Sequence, residues 1–486
     1  MMRKTLLLLA ATVACAFSAQ ARKTYTLSSP EGRLQTTVAA DDALTYAVTF
    51  DGRPVLDASP LSLTLDDGTT WGVDPRVAGV SRTSVDAVIP SPFYRADSLR
   101  ERYNSLTLRM KDDWSVEFRA YDDGIAYRFV SRAKKPFNVV SEQAEYRFPA
   151  DFEATVPYVA RGNEGDFESQ FFNSFENTYT TARLSALDPG RLMFLPLAVD
   201  AGDGVKVCIT ETDLENYPGL YLTNAGAAKN GLKGVFAPCP EKLEQGGHNN
   251  LQMLVRERKD HIAEINAPRT FPWRVAIVGT DTDLAASDLS FLLAAPSKID
   301  DTSWIKPGKV AWEWWNDWNI SDVDFRAGIN TETYKYYIDF AARYGIPYII
   351  MDEGWSASTT DVFHPNPDLD LQELIAYGRE RNVQIVLWLT WLAVEKDMDR
   401  LFATLEEWGI PGVKIDFMDR SDQWMVGYYE RVMKCAARHR LFVDMHGSYT
   451  PKGLYRTYPN LLTYEGVLGM EQGARCKPEN SNWLPF

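Results

Sequence analysis

Near residue 309 of this 486-residue chain the apolar pattern changes period, and that change limits what the chain can fold into. From residue 22 to about 290, short alternating runs recur, starting at Leu34 (LQTTVA), Leu44 (LTYAVTF), Leu106 (LTLRM), Trp114 (WSVEFRAY) and Ile125 (IAYRFV). Such alternation marks half-buried strands. Turn signals at Asp51-Gly52, Asp67-Gly68 and Asp123-Gly124 separate them. A large β-sandwich over 22–293 is the expectation. After the change, continuous apolar runs begin near Lys309 (KVAWEWW), Tyr348 (YIIMDE), Val383 (VQIVLWL), Gly412 (GVKIDF), Leu441 (LFVDMHG) and Leu461 (LLTYEGV). Helical segments 331–344, 371–381, 395–408 and 422–438 lie between most of them. Buried strands alternating with helices predict a parallel α/β array of the (β/α)8, TIM-barrel type over 309–486. The fold class is thus multidomain β plus α/β. The Pro- and Gly-punctuated residues 294–308 read as a linker. Only about six barrel strands are legible, and an open barrel leaves two strand edges unpaired, so the barrel is expected to be incomplete at its C-terminal end.

Residues 1–21 read as a secretory signal peptide: Arg3 and Lys4, an apolar stretch, then Ala19-Gln20-Ala21. Its removal takes the net charge from −15 to −17. Cys15 invites a lipidation reading, but Thr12 stands where a larger aliphatic is wanted. Export to the periplasm is the expectation. The acidic balance disfavours nucleic acid. No later stretch has the ~18 apolar residues of a membrane span. Cys208, Cys239, Cys435 and Cys476 lie far apart with no C-x-x-C, which indicates neither a disulfide framework nor a zinc site. Walker, G-x-S-x-G and H-E-x-x-H motifs are missing. A monomer or homodimer acting on an oligosaccharide or glycoside is expected.

In a parallel barrel the chemistry gathers at the C-terminal ends of the strands. The fourth run presents Lys414 and Asp416 on one face, because strand side chains alternate. An ammonium there favours the ionised carboxylate. Taken alone, K-x-D at a strand end is more often a surface ion pair than a site. Here the other strand ends carry matching chemistry. The first ends in Trp312-Glu313-Trp314-Trp315-Asn316-Asp317-Trp318, which suits a sugar platform or a barrel plug. The second ends in Asp352-Glu353, able to accept from adjacent sugar hydroxyls. The third carries Trp388, the fifth His446, and the sixth Glu465 with Glu471 beyond it. Two carboxylates on different strand ends can flank one glycosidic bond, one attacking and one protonating. Glu465 and Glu471 could also share a hard cation, with Glu176 of the β region a further donor.

The stretches AWEWWNDWNISDVDFRAGINTETYKYYIDFAARYGIPYIIMDEGW, GVKIDFMDRSDQ, DMHGSYTPKGLYRTYPN and LTYEGVLGMEQG together resemble glycoside hydrolase family 97. The resemblance runs through the chain in domain order: leader, β-super-sandwich, barrel. It implies a retaining α-galactosidase, because this sequence has Asp416 at the fourth strand and Gly447 where the family's inverting α-glucosidases carry a glutamate. By the same resemblance Asp416 is the nucleophile and Glu471 the acid/base. Calcium is expected at Glu176, Glu465 and Glu471, and substrate contacts at Asp352, Glu353, Trp312, Glu313, Trp388, Lys414 and His446. The run Gln472-Gly-Ala-Arg-Cys476 and the acid Glu313 depart from the family pattern. An α-glucosidase of the same family, and a non-catalytic glycan-binding protein or inactive fragment, are the alternatives.

Overall fold

A computed structural model of the chain describes residues 23–469 together with Glu471 and Gln472. The leader reading at 1–21 with Cys15, and most of the run ending in Cys476, lie outside the described residues. Among the described residues the N-terminal half forms a nine-stranded and a ten-stranded sheet. The alternation is visible strand by strand: Leu44, Tyr46, Val48 and Phe50 are buried and the residues between them half-buried. Removing such side chains from water is the main favourable contribution to folding. A buried charge cluster crosses this core: Arg274 donates to Glu142 (2.7 Å) and Glu211 (2.5 Å).

The second half carries a six-stranded parallel sheet in chain order. Its strands are Val310–Trp312, Tyr348–Met351, Gln384–Thr390, Gly412–Asp416, Phe442–Met445 and Leu461–Tyr464. The central ones are buried almost throughout, as continuous apolar runs require. The helices begin where their caps dictate. Asn330 accepts from Thr333 N–H to start Thr331–Arg343, and Asp422 accepts from Met425 N–H to start Gln423–Arg438. The helix expected over 395–408 is instead two helices, Trp391–Lys396 and Met398–Trp408, with Asp397 non-helical between them (φ −156°). Thr390 caps the first by accepting from Ala393 N–H, a signal hidden inside an apolar run. No described helix is long and apolar enough to cross a membrane.

The β region braces the sheet's C-terminal end. Gln252 donates to Phe417 O (2.7 Å) and accepts from Trp391 Nε1, and Asn173 N–H donates to Asp419 O. Gly219 N–H donates to Ser421 O (2.8 Å). The loop that follows Asp416 is therefore held from both sides. It adopts positive φ at Phe417 (70°) and Asp419 (51°), a strained backbone of the kind that surrounding structure must enforce. Residues 294–308 contain no regular element yet are pinned: Ile305 is buried and Lys298 N–H donates to Thr457 O. They act as a fixed strap more than a tether.

Candidate active site

Register sets the centre of the site. Lys414 pairs with Trp388 on one neighbouring strand and with Asp444 on the other, and Asp416 pairs with Thr390. Lys414 Nζ lies 2.9 Å from Asp352 Oδ2 and 3.2 Å from Asp416 Oδ2. Asp416 Oδ2 also accepts from Trp388 Nε1 (3.0 Å), and Oδ1 from Phe417 N–H (2.8 Å). Burial opposes the charge on Asp416, but Lys414, His446 and Trp388 outweigh it and hold the carboxyl below its ordinary value. Lys414 is itself pushed above its ordinary value: the two aspartates overcome its burial.

A cleft of about 500 Å³, including its open mouth, sits over these groups. It gathers most of the expected residues: Asp352, Glu353, Trp388, Lys414, Asp416, His446, Glu465, Glu471 and Glu176. His446 stands 3.4 Å from Asp444 and 3.5 Å from Glu465. Burial alone would discharge it, but these carboxylates raise it to about 10 and keep it cationic. Glu465 Oε2 accepts from Gly447 N–H (2.7 Å). Burial and Glu465 raise the carboxyl of Glu471, and burial with Asp352 raises Glu353. Gly447 has φ +56°, and a Cβ there would fall 2.7 Å from Asp419 Oδ1 and 3.0 Å from the Phe417 backbone. A glutamate cannot enter this position without moving the loop that presents Asp416.

Two expectations are corrected. Glu313 does not face the cleft. It is almost fully buried, and its Oε1 accepts from Asp352 N–H (2.7 Å) and Tyr334 O–H (2.8 Å). Trp312 likewise backs the wall, donating Nε1 to Asp352 Oδ2 (2.8 Å) with its ring 4.7 Å from Lys414 Nζ. The three-residue strand Val310–Trp312 ends there and a 3₁₀ turn over Glu313–Asn316 swings Trp314 to the cleft instead. Burial lifts the Glu313 carboxyl to about 7. An amide can replace it, so Glu313→Gln is expected to cost less than about 1 kcal/mol. Glu313→Ala leaves two buried donors without an acceptor and should cost about 2–4 kcal/mol. Urea unfolding distinguishes them; equal losses would refute the supporting role.

Sequence reasoning missed Arg161 and Asp419. Arg161 reaches the cleft from the β region and pairs with Asp419 Oδ2 (3.2 Å), while Asp419 Oδ1 is buried without a partner. Burial pushes Asp419 up to about 7 against the pull of Arg161. Asp419 lies inside the GVKIDFMDRSDQ stretch and was within reach of inspection. Arg161 lies some 250 residues upstream, in no local pattern that points to a site.

The cleft holds an ionised, buried carboxylate, Asp416, and a second carboxyl, Glu471, that retains its proton more readily, a combination suited to acid and nucleophile work on one bond. The family profile described as "Glycoside hydrolase 97" matches residues 314–467, and that described as "Glycosyl-hydrolase 97 N-terminal" matches 27–296. The retaining alpha-galactosidase of Bacteroides thetaiotaomicron is 56% identical over 471 residues, 96% of this chain and 71% of that protein. A probable retaining alpha-galactosidase of Streptomyces bingchenggensis is 30% identical over 94% of this chain and 67% of that protein. A solved glycoside hydrolase family 97 enzyme from Pseudoalteromonas sp. strain K8, in complex with acarbose, shares the fold with a TM-score of 0.76. That alignment covers 93% of this chain and 70% of the other at 24% identity. Both halves are matched in order by one family's profiles, and the chain belongs to glycoside hydrolase family 97.

Proposed function

We propose that the protein hydrolyses terminal α-galactosides with retention of configuration. The observation that carries this reading is Asp416, ionised against Lys414 at a strand end, in one cleft with Glu471. In the first step the Asp416 carboxylate bonds to the anomeric carbon, the bond to the leaving oxygen breaks, and Glu471 gives that oxygen its proton. In the second step water attacks, Glu471 takes the water's proton, and the ester to Asp416 breaks. Glycine at position 447 and the name of the Bacteroides relative favour the retaining, galactose-directed branch. Asp352, Glu353, Trp388 and His446 would contact the sugar. The test is hydrolysis of 4-nitrophenyl α-galactoside against the α-glucoside, with the first-formed anomer followed by NMR. The galactoside cleaved faster, with α-galactose appearing first, is expected. A glucoside preference or β-galactose first would overturn the reading.

Calcium fits the acidic side of the cleft. Glu176, Glu465 and Glu471 bring carboxylate oxygens within 4.8 Å of one another. Glu176 Oε1 is buried without a partner, and burial with the Glu465 charge raises that carboxyl to about 7. Hard, mutually repelling oxygen donors of this kind suit Ca²⁺, with water completing the six to eight ligands. The ion would supply positive charge that orients Glu471 and screens its neighbours. Chelation is expected to lower the rate at least tenfold, with recovery on adding Ca²⁺, and Glu465→Gln should require more calcium for half recovery. An unchanged rate in protein shown to be metal-free would exclude the assignment.

The same proposal reads the parallel sheet as the larger arc of a (β/α)8 barrel. Two more β/α units would close it between the Val310–Trp312 and Leu461–Tyr464 edges. Val310 on one of those edge strands, and Tyr336, Phe340 and Tyr344 in and just after the helix that follows it, are exposed. Export to the periplasm belongs to this reading too, through the leader-like residues 1–21.

A further inference from the structure

We infer that Asp399, Cys435 and His439 form a second metal site, for a borderline-soft divalent cation of the zinc type, which staples two outer helices of the parallel domain together. Cys435 lies in the Gln423–Arg438 helix and His439 caps its end, four residues on, so both project on one face. Asp399 comes from the first turn of the neighbouring helix, Met398–Trp408. One oxygen is the hub: Asp399 Oδ1 is 3.5 Å from Cys435 Sγ and 3.7 Å from His439 Nε2. Tetrahedral zinc with bonds of about 2.3 Å to sulfur and about 2.1 Å to nitrogen or oxygen needs edges of roughly 3.4–3.6 Å between donors. The two edges from Asp399 already stand near that spacing, the third is within 4.8 Å, and water can take the fourth position.

The histidine is prepared for a metal. Its Nδ1 is 2.8 Å from Glu406 Oε2, which fixes the proton on Nδ1 and leaves Nε2 with a lone pair. Nε2 is buried and has no hydrogen-bond partner. Carboxylate–histidine–metal chains have this order. A cation already sits on the other two donors: the Arg438 guanidinium is 2.5 Å from Asp399 Oδ1 and 3.3 Å from Cys435 Sγ. Arg438 is largely exposed and can swing into solvent. On binding, the Cys435 thiol gives its proton to the buffer as the sulfur–metal bond forms. Linear spacing rules miss the site because its third donor comes from another helix, 36 residues before the cysteine.

The test uses the whole chain, stripped of metal under reducing conditions, with excess Ca²⁺ to occupy the carboxylate cluster, and titrated with Co²⁺. One equivalent is expected to give a sulfur-to-cobalt charge-transfer band and the visible bands of tetrahedral cobalt, bleached by Zn²⁺. Cys435→Ser should abolish the charge-transfer band. His439→Gln, away from the buried thiol, should weaken binding at least tenfold, and Glu406→Gln about tenfold. Zinc should raise the unfolding temperature of the parent and not of Cys435→Ser. Cobalt bound with no charge-transfer band, a band that survives Cys435→Ser, or binding indifferent to His439→Gln would overturn the inference.

Discussion

Asp416→Ala is expected to lower kcat on 4-nitrophenyl α-galactoside on the order of 10⁴-fold or more, as loss of a group that acts in concert with others does. The fold should survive the change. Lys414 keeps Asp352 as a partner at 2.9 Å, so no buried cation is stranded. The vacated space lies beside Lys414 and the Trp388 Nε1 donor, a setting that accepts a small anion. Azide is therefore expected to restore part of the rate and to form β-galactosyl azide, since it attacks from the carboxylate's face in a single displacement. The measurement is the rate with and without azide, the NMR identity of the product, and the thermal midpoint as a folding control. A variant with near-normal rate would reduce Asp416 to a strand-end ion pair. A dead variant that azide cannot rescue would count against attack from the vacated carboxylate position.

The sequence made the parallel half legible because buried strands and capped helices write strong local patterns. All six apolar runs became strands in one sheet, and the 331 and 422 helices begin where Asn330 and Asp422 cap them. Lys414 and Asp416 were paired by alternation alone, and they are 3.2 Å apart. What failed was direction at short, irregular elements. The Val310–Trp312 strand is only three residues long, so period 2 could not say that Glu313 turns inward while Trp314 faces the cleft. Contacts between halves were also invisible. Arg161 and Gln252 meet the Asp416 loop through folding of a β region that precedes it by more than 150 residues. Alternation fixes which face of a strand is buried and carries no record of which distant loop that face will meet.

Lys414→Met is expected to damage stability and chemistry together, with a pH signature that separates this lysine from a packing residue. Lys414 is buried between Asp352 and Asp416, and truncation leaves two buried carboxylates facing each other. Breaking a buried pair in this way costs about 3–5 kcal/mol at neutral pH. The sign follows from Asp416. Its folded carboxyl lies below its ordinary value, so its ionised form contributes stability in full above the unfolded-state value and loses it as pH falls through the folded one. Without Lys414 the burial of Asp416 is opposed by His446, Trp388 and the Phe417 N–H, and its carboxyl rises. Protonation then relieves the variant, and its deficit relative to the parent should shrink as pH drops from 7 towards 5. In kcat/KM the same shift moves the acid limb upward: the variant's acid limb should lie at higher pH than the parent's. Urea unfolding at both pH values and a kcat/KM profile read the two effects. An equal deficit at pH 5 and 7, with an unmoved acid limb, would mean that Lys414 packs against Trp312 and does not hold the charge on Asp416.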